Sequence, residues 1–229
     1  HLPMTTQPTP DHTFERACQV LATLPESIRF GTSSWTYAGW QGTIYRRPYR
    51  SKAEFSREAL AEYWKFPLFR TVGIDSFFYA PPAPSTLARY QSQTPREAKW
   101  VTKVWEQISA PKFPTHPRYG AQRGQINENF LSADLFLKHV LTPFRTPGVW
   151  ERTGAFVLQL PYIDHKWLSN AKLLEQLQRF LSKLPDDVRV AVEFRNQELL
   201  APSTFQLLNE CRATLCFNHW GGMPPLREQ

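Results

Sequence analysis

Asp75, Lys103 and Arg195 close three short runs rich in β-branched or aromatic residues, TVGID, WVTK and VAVEFR, the last of which also holds Glu193. Such runs read as strands, and strand alternation sorts their side chains between two faces. In RVAVEFRN the apolar Val190, Val192 and Phe194 share one face, leaving Ala191, Glu193 and Arg195 on the other. The same sorting sets Gly73, Asp75 and Phe77 opposite Val72 and Ile74, and Gln159 opposite Phe156, Leu158 and Leu160. Lys103 goes with Val101 and Trp105, Asn218 with Cys216, and Ser33 with Trp35. Six expected strands thus bring polar groups to one site.

Two carboxylates beside two cations can move protons and hold an anion. Glu193 has the chemistry of a general acid or base, with Asp75 as a second carboxylate or an orienter. Lys103 and Arg195 suit an anionic group, the first as a point charge and the second as a planar fork. By type, Lys103 is also a Schiff-base nucleophile or a salt-bridge partner of Glu193. Glu193, Asp75 and Lys103 are therefore the candidate catalytic residues. A metal site would draw on Asp75, Glu193 and His116 or His219, thin for zinc and conceivable for magnesium; no metal is expected, and the sequence points to no other cofactor. The structural alternative is a paired network that fixes the interior, because buried charges are costly unless paired.

The candidate ligand-binding residues are largely aromatic. An apolar opening at 28–30 runs into GTSSWTYAGWQG, residues 31–42, which reads as a strand ending in a functional loop. It supplies Ser33, Trp35, Tyr37 and Trp40; Tyr79, His116, Gln159, Arg195 and Asn218 join them from later strands and loops. Aromatic rings also cover the ends of cores, and the polar groups of the later strands tip the reading towards a pocket.

Positioning these residues takes alternating strands and helices. Helices are expected at 14–24, 56–66, 84–93 with Ser85 as a cap, 129–141, from Ser169 through the leucine-rich run to Leu184, and at 203–211. Strands are expected at 28–30, 69–79, 99–108, 153–161, 189–196 and 213–220, with an extended loop over 109–127. Strands that alternate with crossover helices imply a parallel sheet with helices outside it. Neither GxGxxG nor a P-loop occurs, which removes the main support for an open nucleotide-binding sheet. The expectation is an α/β, TIM-barrel-like (β/α) barrel with about six β/α units, its chemistry in the loops at the carboxyl ends of the strands. Residues 1–27 form an N-terminal extension with a short helix, and 28–229 form the barrel domain. Within the extension, 1–13 are polar and proline-dotted, with Met4 the expected native start.

The 229 residues suffice for a real core, and 8 Trp, 16 Phe and a hydrophobic share of 41% argue against disorder. A net charge of +7 raises the prior for an anionic partner, but the basic residues are spread out. Their local concentrations are Arg46, Arg47, Arg50 and Lys52, then Lys112, Arg118 and Arg123. Cys18, Cys211 and Cys216 have no metal-ligand spacing and suit reduced thiols in a cytoplasm. No stretch approaches the roughly 18 apolar residues of a membrane span, and none has the apolar core of a signal peptide.

GTSSWTYAGWQGTIY, TVGIDSFFYAPPAPSTLARY, WVTKVWEQIS followed by TH, FVLQLP and VAVEFRN occur here in that order. In this the chain resembles the DUF72, or YecE-like, family over roughly residues 28–220. The resemblance implies a TIM-barrel-like domain and no established reaction. Where the family's second strand reads Glu-Ile-Asn, this chain has Gly73, Ile74 and Asp75, so one carboxylate is missing and another stands two residues later. Where the family's fifth strand ends Glu-Phe-Arg-His, this one ends in Asn196. Family members also continue further, so the expectation is that C-terminal units are missing or replaced, or that a homo-oligomer contact covers the exposed sheet edge.

The function expected is that of an enzyme, a hydrolase or lyase, acting on a small anionic or phosphorylated substrate at the mouth of the barrel. The alternatives are a nucleic-acid binder, with Arg46, Arg47, Arg50, Arg118 and Arg123 on phosphates and aromatic rings under bases, and a non-catalytic ligand sensor or scaffold.

Overall fold

Five strands lie side by side in chain order: β1 Thr71–Ile74, β2 Lys99–Lys103, β3 Thr153–Gln159, β4 Val190–Glu193 and β5 Thr214–Leu215. They belong to a computed structural model that describes residues 12–229; the first eleven residues of the expected extension, Met4 among them, lie outside the described residues. Every neighbouring pair is parallel, with registers such as Thr71↔Lys99 and Gln159↔Glu193. The order never reverses, so the described sheet has no switch point of the doubly wound kind.

Nine α-helical segments are present among the described residues. They are α1 His12–Thr23, α2 Lys52–Tyr63, α3 Pro84–Gln93, α4 Glu106–Ser109, α5 Ala133–Leu135, α6 Thr142–Phe144, α7 Val149–Arg152, α8 Asn170–Ser182 and α9 Pro202–Glu210. None is long and apolar enough to cross a membrane. Local chemistry sets their starts. Ser169 caps α8 by accepting from the Lys172 amide at 3.3 Å, and Leu173, Leu177, Phe180 and Leu181 form its buried stripe. Ser51 caps α2 in the same way, accepting from Glu54, so that helix starts earlier than the apolar pattern alone suggests. At α3 the cap position belongs to Ala83 and not to Ser85; Pro84 presets the first turn. The helix expected at 129–141 starts only at Ala133, capped by Ser132, and continues through a π-helical stretch, Phe136–Leu141, into α6.

The core lies between the sheet and these helices. Val72, Ile74, Trp100, Phe156, Leu158, Val192 and Phe194 are fully buried on the helix-facing side. Phe156 meets Phe136 and Phe144 edge-on at 5.4 and 5.1 Å. The opposite side is built from Gly73, Val101, Lys103, Val157, Gln159, Ala191 and Glu193, the face expected to point inward.

The strands are shorter than their apolar runs. β1 stops at Ile74, where Asp75 turns helical and Ser76–Phe78 closes a 3₁₀ turn. That turn takes Phe77 off the inner face and into the core, 6.1 Å from the rings of both Tyr90 and Phe144. β2 gives way after Lys103 to α4, and the last strand is only two residues long. The strand expected at 28–30 is a single bridge, Phe30 to Phe69. Its ladder is interrupted because the Thr32 amide donates to the Tyr63 hydroxyl, which in turn donates to the Thr71 carbonyl, both at 3.0 Å.

Candidate functional site

Four strand ends converge on a row of alternating charges. Asp75 follows β1 and its Oδ1 lies 3.5 Å from Nζ of Lys103 at the end of β2. Gln159, the last residue of β3, stands in register with Glu193, the last residue of β4. Glu193 Oε1 lies 3.6 Å from Nε of Arg195, an ion pair without a hydrogen bond, since that buried Nε has no hydrogen-bond partner among the described residues. The Glu193 side chain is 12% exposed. Burial pushes its carboxyl above the usual range, against the pull of Arg195 and Lys103 and with some help from Asp75. Cys216, just past β5, belongs to the same neighbourhood: burial first, then the Glu193 charge, push its thiol up to about 11. The Arg195 guanidinium lies 5.7 Å from the centre of the Trp220 ring, which stacks on Tyr162.

The other expected residues fall into separate places. Asn218 donates to the Phe194 carbonyl at 2.7 Å and accepts from the Trp220 amide, so its side chain braces the end of β4. Ser33 and Trp35 do not share an environment. The Thr32 hydroxyl donates to the Ser34 carbonyl and bends the chain off the sheet, leaving Ser33 exposed and driving Trp35 into the core edge-on to Tyr90. Trp35 is thus an anchor beneath the loop; its carbonyl accepts from the buried Tyr45 hydroxyl. Tyr37 and Trp40 stay at the surface as a T-shaped pair, 5.3 Å between centres.

Tyr79 and His116 belong to a second cluster, built on Glu106, which residue alternation alone did not single out. Glu106 opens α4, is 8% exposed, and accepts from the Tyr119 hydroxyl at 2.7 Å and from Arg118 at 3.2 Å. The Arg118 guanidinium lies 4.6 Å from the ring centres of both Tyr79 and Tyr119, and His116 accepts from the Arg118 amide through Nδ1. The available signal was position: Glu106 stands three residues beyond Lys103, where a strand has ended and a loop residue can turn back to the mouth.

The sequence model of the family described as "Protein of unknown function DUF72" matches residues 29–223. The chain belongs to the DUF72 family. Two solved members share the fold. A DUF72 family protein of Thermotoga maritima is 20% identical with a TM-score of 0.53, over 82% of this chain and 64% of that one. A DUF72 family protein of Enterococcus faecalis is 18% identical with a TM-score of 0.51, over 82% of this chain and 59% of that one. The chain thus spans about three fifths of the length of these structures. No curated protein matches it.

Both departures of this DUF72 chain from the expected motifs have a structural setting. A Cβ on Gly73 would stand 2.5 Å from the Ser33 carbonyl oxygen, so the close approach of 30–33 to β1 leaves no room for a glutamate there. Asn196 is 1% exposed and clasps the loop after β3, accepting from the Ile163 amide and donating to its carbonyl, each at 2.8 Å. It also donates to Glu198 at 2.8 Å.

Proposed function

We propose that this DUF72 chain is an enzyme that acts on a small anionic substrate at the carboxyl ends of β1–β4, with Glu193 as general acid or base. One observation carries the reading: a half-buried carboxyl, pushed up by burial, stands beside two cations that do not fully neutralise it. A carboxyl whose hold on its proton is strengthened by burial is suited to proton transfer. The Arg195 guanidinium, partly exposed while its Nε faces Glu193, offers a planar cation to an incoming carboxylate or phosphate. Lys103, held by Asp75, adds a fixed positive charge, and Gln159 adds a neutral donor and acceptor opposite Glu193. Proton transfer at one carboxyl suits a hydrolase or lyase. The unreversed strand order supports a wall of a (β/α) barrel with this cluster at its mouth, formed by residues 28–229 as one domain.

Two of the basic residues, one in each concentration, are matched by nearby acids, which favours a small ligand over a nucleic acid. Arg47 pairs with Glu54 and Glu58, and Arg118 with Glu106. Three free thiols support a reducing compartment, the cytoplasm.

The test is a thermal-shift screen against sugar phosphates, nucleotides, organic acids and a short single-stranded oligonucleotide at low and high salt. A ligand that binds the folded state raises its apparent stability by mass action. A small anion that stabilises the protein, but not Arg195→Ala, and is turned over by the native protein but not by Glu193→Gln, is the expected result. A shift with the oligonucleotide alone, lost at high salt and indifferent to Glu193, would overturn the reading.

A further inference from the structure

A hollow of about 570 Å³ opens beside the strand-end cluster and is lined by Thr32, Ser33, Ser34, Thr36, Tyr37 and Trp40. Its lining has four hydroxyl side chains, two aromatic rings and no charged group. That chemistry does not recognise an ion. It matches a ligand that presents hydroxyl groups at its rim and a flat C–H face, which is the surface of a sugar ring.

The hollow is built in advance of any ligand. Tyr37 is 61% exposed, yet its ring is held edge-on by Trp40 and lies so close over Gly39 that a Cβ there would come within 2.5 Å of it. The Trp40 carbonyl accepts from the Thr43, Ile44 and Tyr45 amides, and buried Trp35 and Tyr45 tie the loop to the core. The hydroxyls are ordered too: Ser34 and Thr36 share a hydrogen bond at 3.0 Å, and Thr32 is fixed between Ser34 and Tyr63. Ser34 Oγ also accepts from the Thr36 amide at 3.2 Å, which leaves it one further hydrogen-bonding position, and the Thr36 hydroxyl keeps capacity of its own. An exposed ring held rigid loses little conformational entropy on binding.

We propose that this hollow is a saccharide subsite, with Tyr37 under the ring face and Ser33, Ser34 and Thr36 on its hydroxyls. Ser33 connects the two sites, because its backbone packs on Gly73, two residues before Asp75. Resting on the proposed function, the assignment names the substrate class: a sugar carrying an acid or phosphate group, its ring in the hollow and its charge towards Lys103 and Arg195. A nucleoside would also stack on an aromatic ring, but a hydroxyl-lined wall with a single exposed ring face favours the sugar.

The experiment follows the backbone amides of 32–41 by NMR while glucose, galactose, mannose, N-acetylglucosamine and adenosine are each titrated in, with Tyr37→Ala and a Ser34→Ala/Thr36→Ala double variant as controls. Saturable shifts with at least one neutral sugar, weakened tenfold or more in Tyr37→Ala and weakened in the double variant, are expected. The neutral sugars carry no charge for Lys103 and Arg195 to hold, so this result and that of the screen above can fail separately. Absence of saturation with every sugar, saturation with adenosine alone, or sugar binding indifferent to Tyr37 would each overturn the proposal.

Discussion

The hydroxyl of Tyr63 lies 3.0 Å from the Thr32 amide nitrogen and occupies the place of a sheet hydrogen bond. In an unbroken parallel ladder that amide would reach the Thr71 carbonyl; here the phenol bridges the two, donating to Thr71 at 3.0 Å. A helix side chain thereby fixes the entry to the aromatic loop. Tyr63→Phe leaves both backbone groups without their partner, so a loss of about 1–3 kcal/mol is expected in urea unfolding. A change smaller than a few tenths would show that the bridge contributes nothing.

Glu193 makes stability fall as pH rises. Its folded-state carboxyl is raised by burial, so the folded chain binds more protons than the unfolded one between the ordinary carboxylate range and the raised value. The favourable contribution is complete below the ordinary range and is gone once pH passes the raised value. Glu193→Gln mimics the protonated form, so its melting temperature should exceed that of the native chain at pH 7 and match it at about pH 4. Equal gains at both values would contradict this assignment.

Glu62 has the opposite sign. Burial alone would raise its carboxyl, but donors from the Arg47 amide, the Tyr49 hydroxyl and the Arg46 amide outweigh that and leave it below the usual range. Its stabilisation is present above the ordinary carboxylate value and is lost as pH falls through the depressed one. Glu62→Gln should cost about 1–2 kcal/mol at neutral pH, with a gap that closes in acid, as read by denaturant titration at a series of pH values.

Cys216 should be a slow thiol. Burial and the Glu193 charge raise it to about 11, whereas Cys18 lies exposed on α1. Iodoacetamide at pH 8 followed by peptide mass analysis should label Cys18 well before Cys216, because the thiolate is the nucleophile. In Glu193→Gln the Cys216 rate should rise; an unchanged rate would separate the two groups.

Asn196 should act through the loop it clasps. Asn196→Ala strands the Ile163 amide and carbonyl, both bonded at 2.8 Å, and should cost about 2 kcal/mol while speeding hydrogen exchange of the Ile163 amide. Exchange at Ile163 equal to that of the native chain would remove Asn196 from this role.

Alternation along β1–β4 was legible residue by residue. Val72, Ile74, Leu158, Val192 and Phe194 were expected on the helix side and are buried there; Lys103 and Glu193 were expected on the other face and meet the same neighbours. The parallel order followed from helices falling between strands. These features are local: a period of two and the need for a crossover are written in consecutive residues.

What lies beyond the strand ends was not legible, because there a side chain's direction is set by distant partners. Phe77 keeps the strand period in sequence, yet a 3₁₀ turn carries it into the core beside Tyr90. Trp35 and Tyr37 look alike in the same loop, but one is buried and the other is 61% exposed. Glu106 carries no pattern of its own until Arg118 and Tyr119 fold back on it from a loop twelve and thirteen residues away. The sequence by itself determined the faces of the strands and the charges at their ends. Which of those charges meet, and which ring is anchor and which is surface, was decided only by tertiary packing, since pairing distance and desolvation depend on neighbours far apart in the chain.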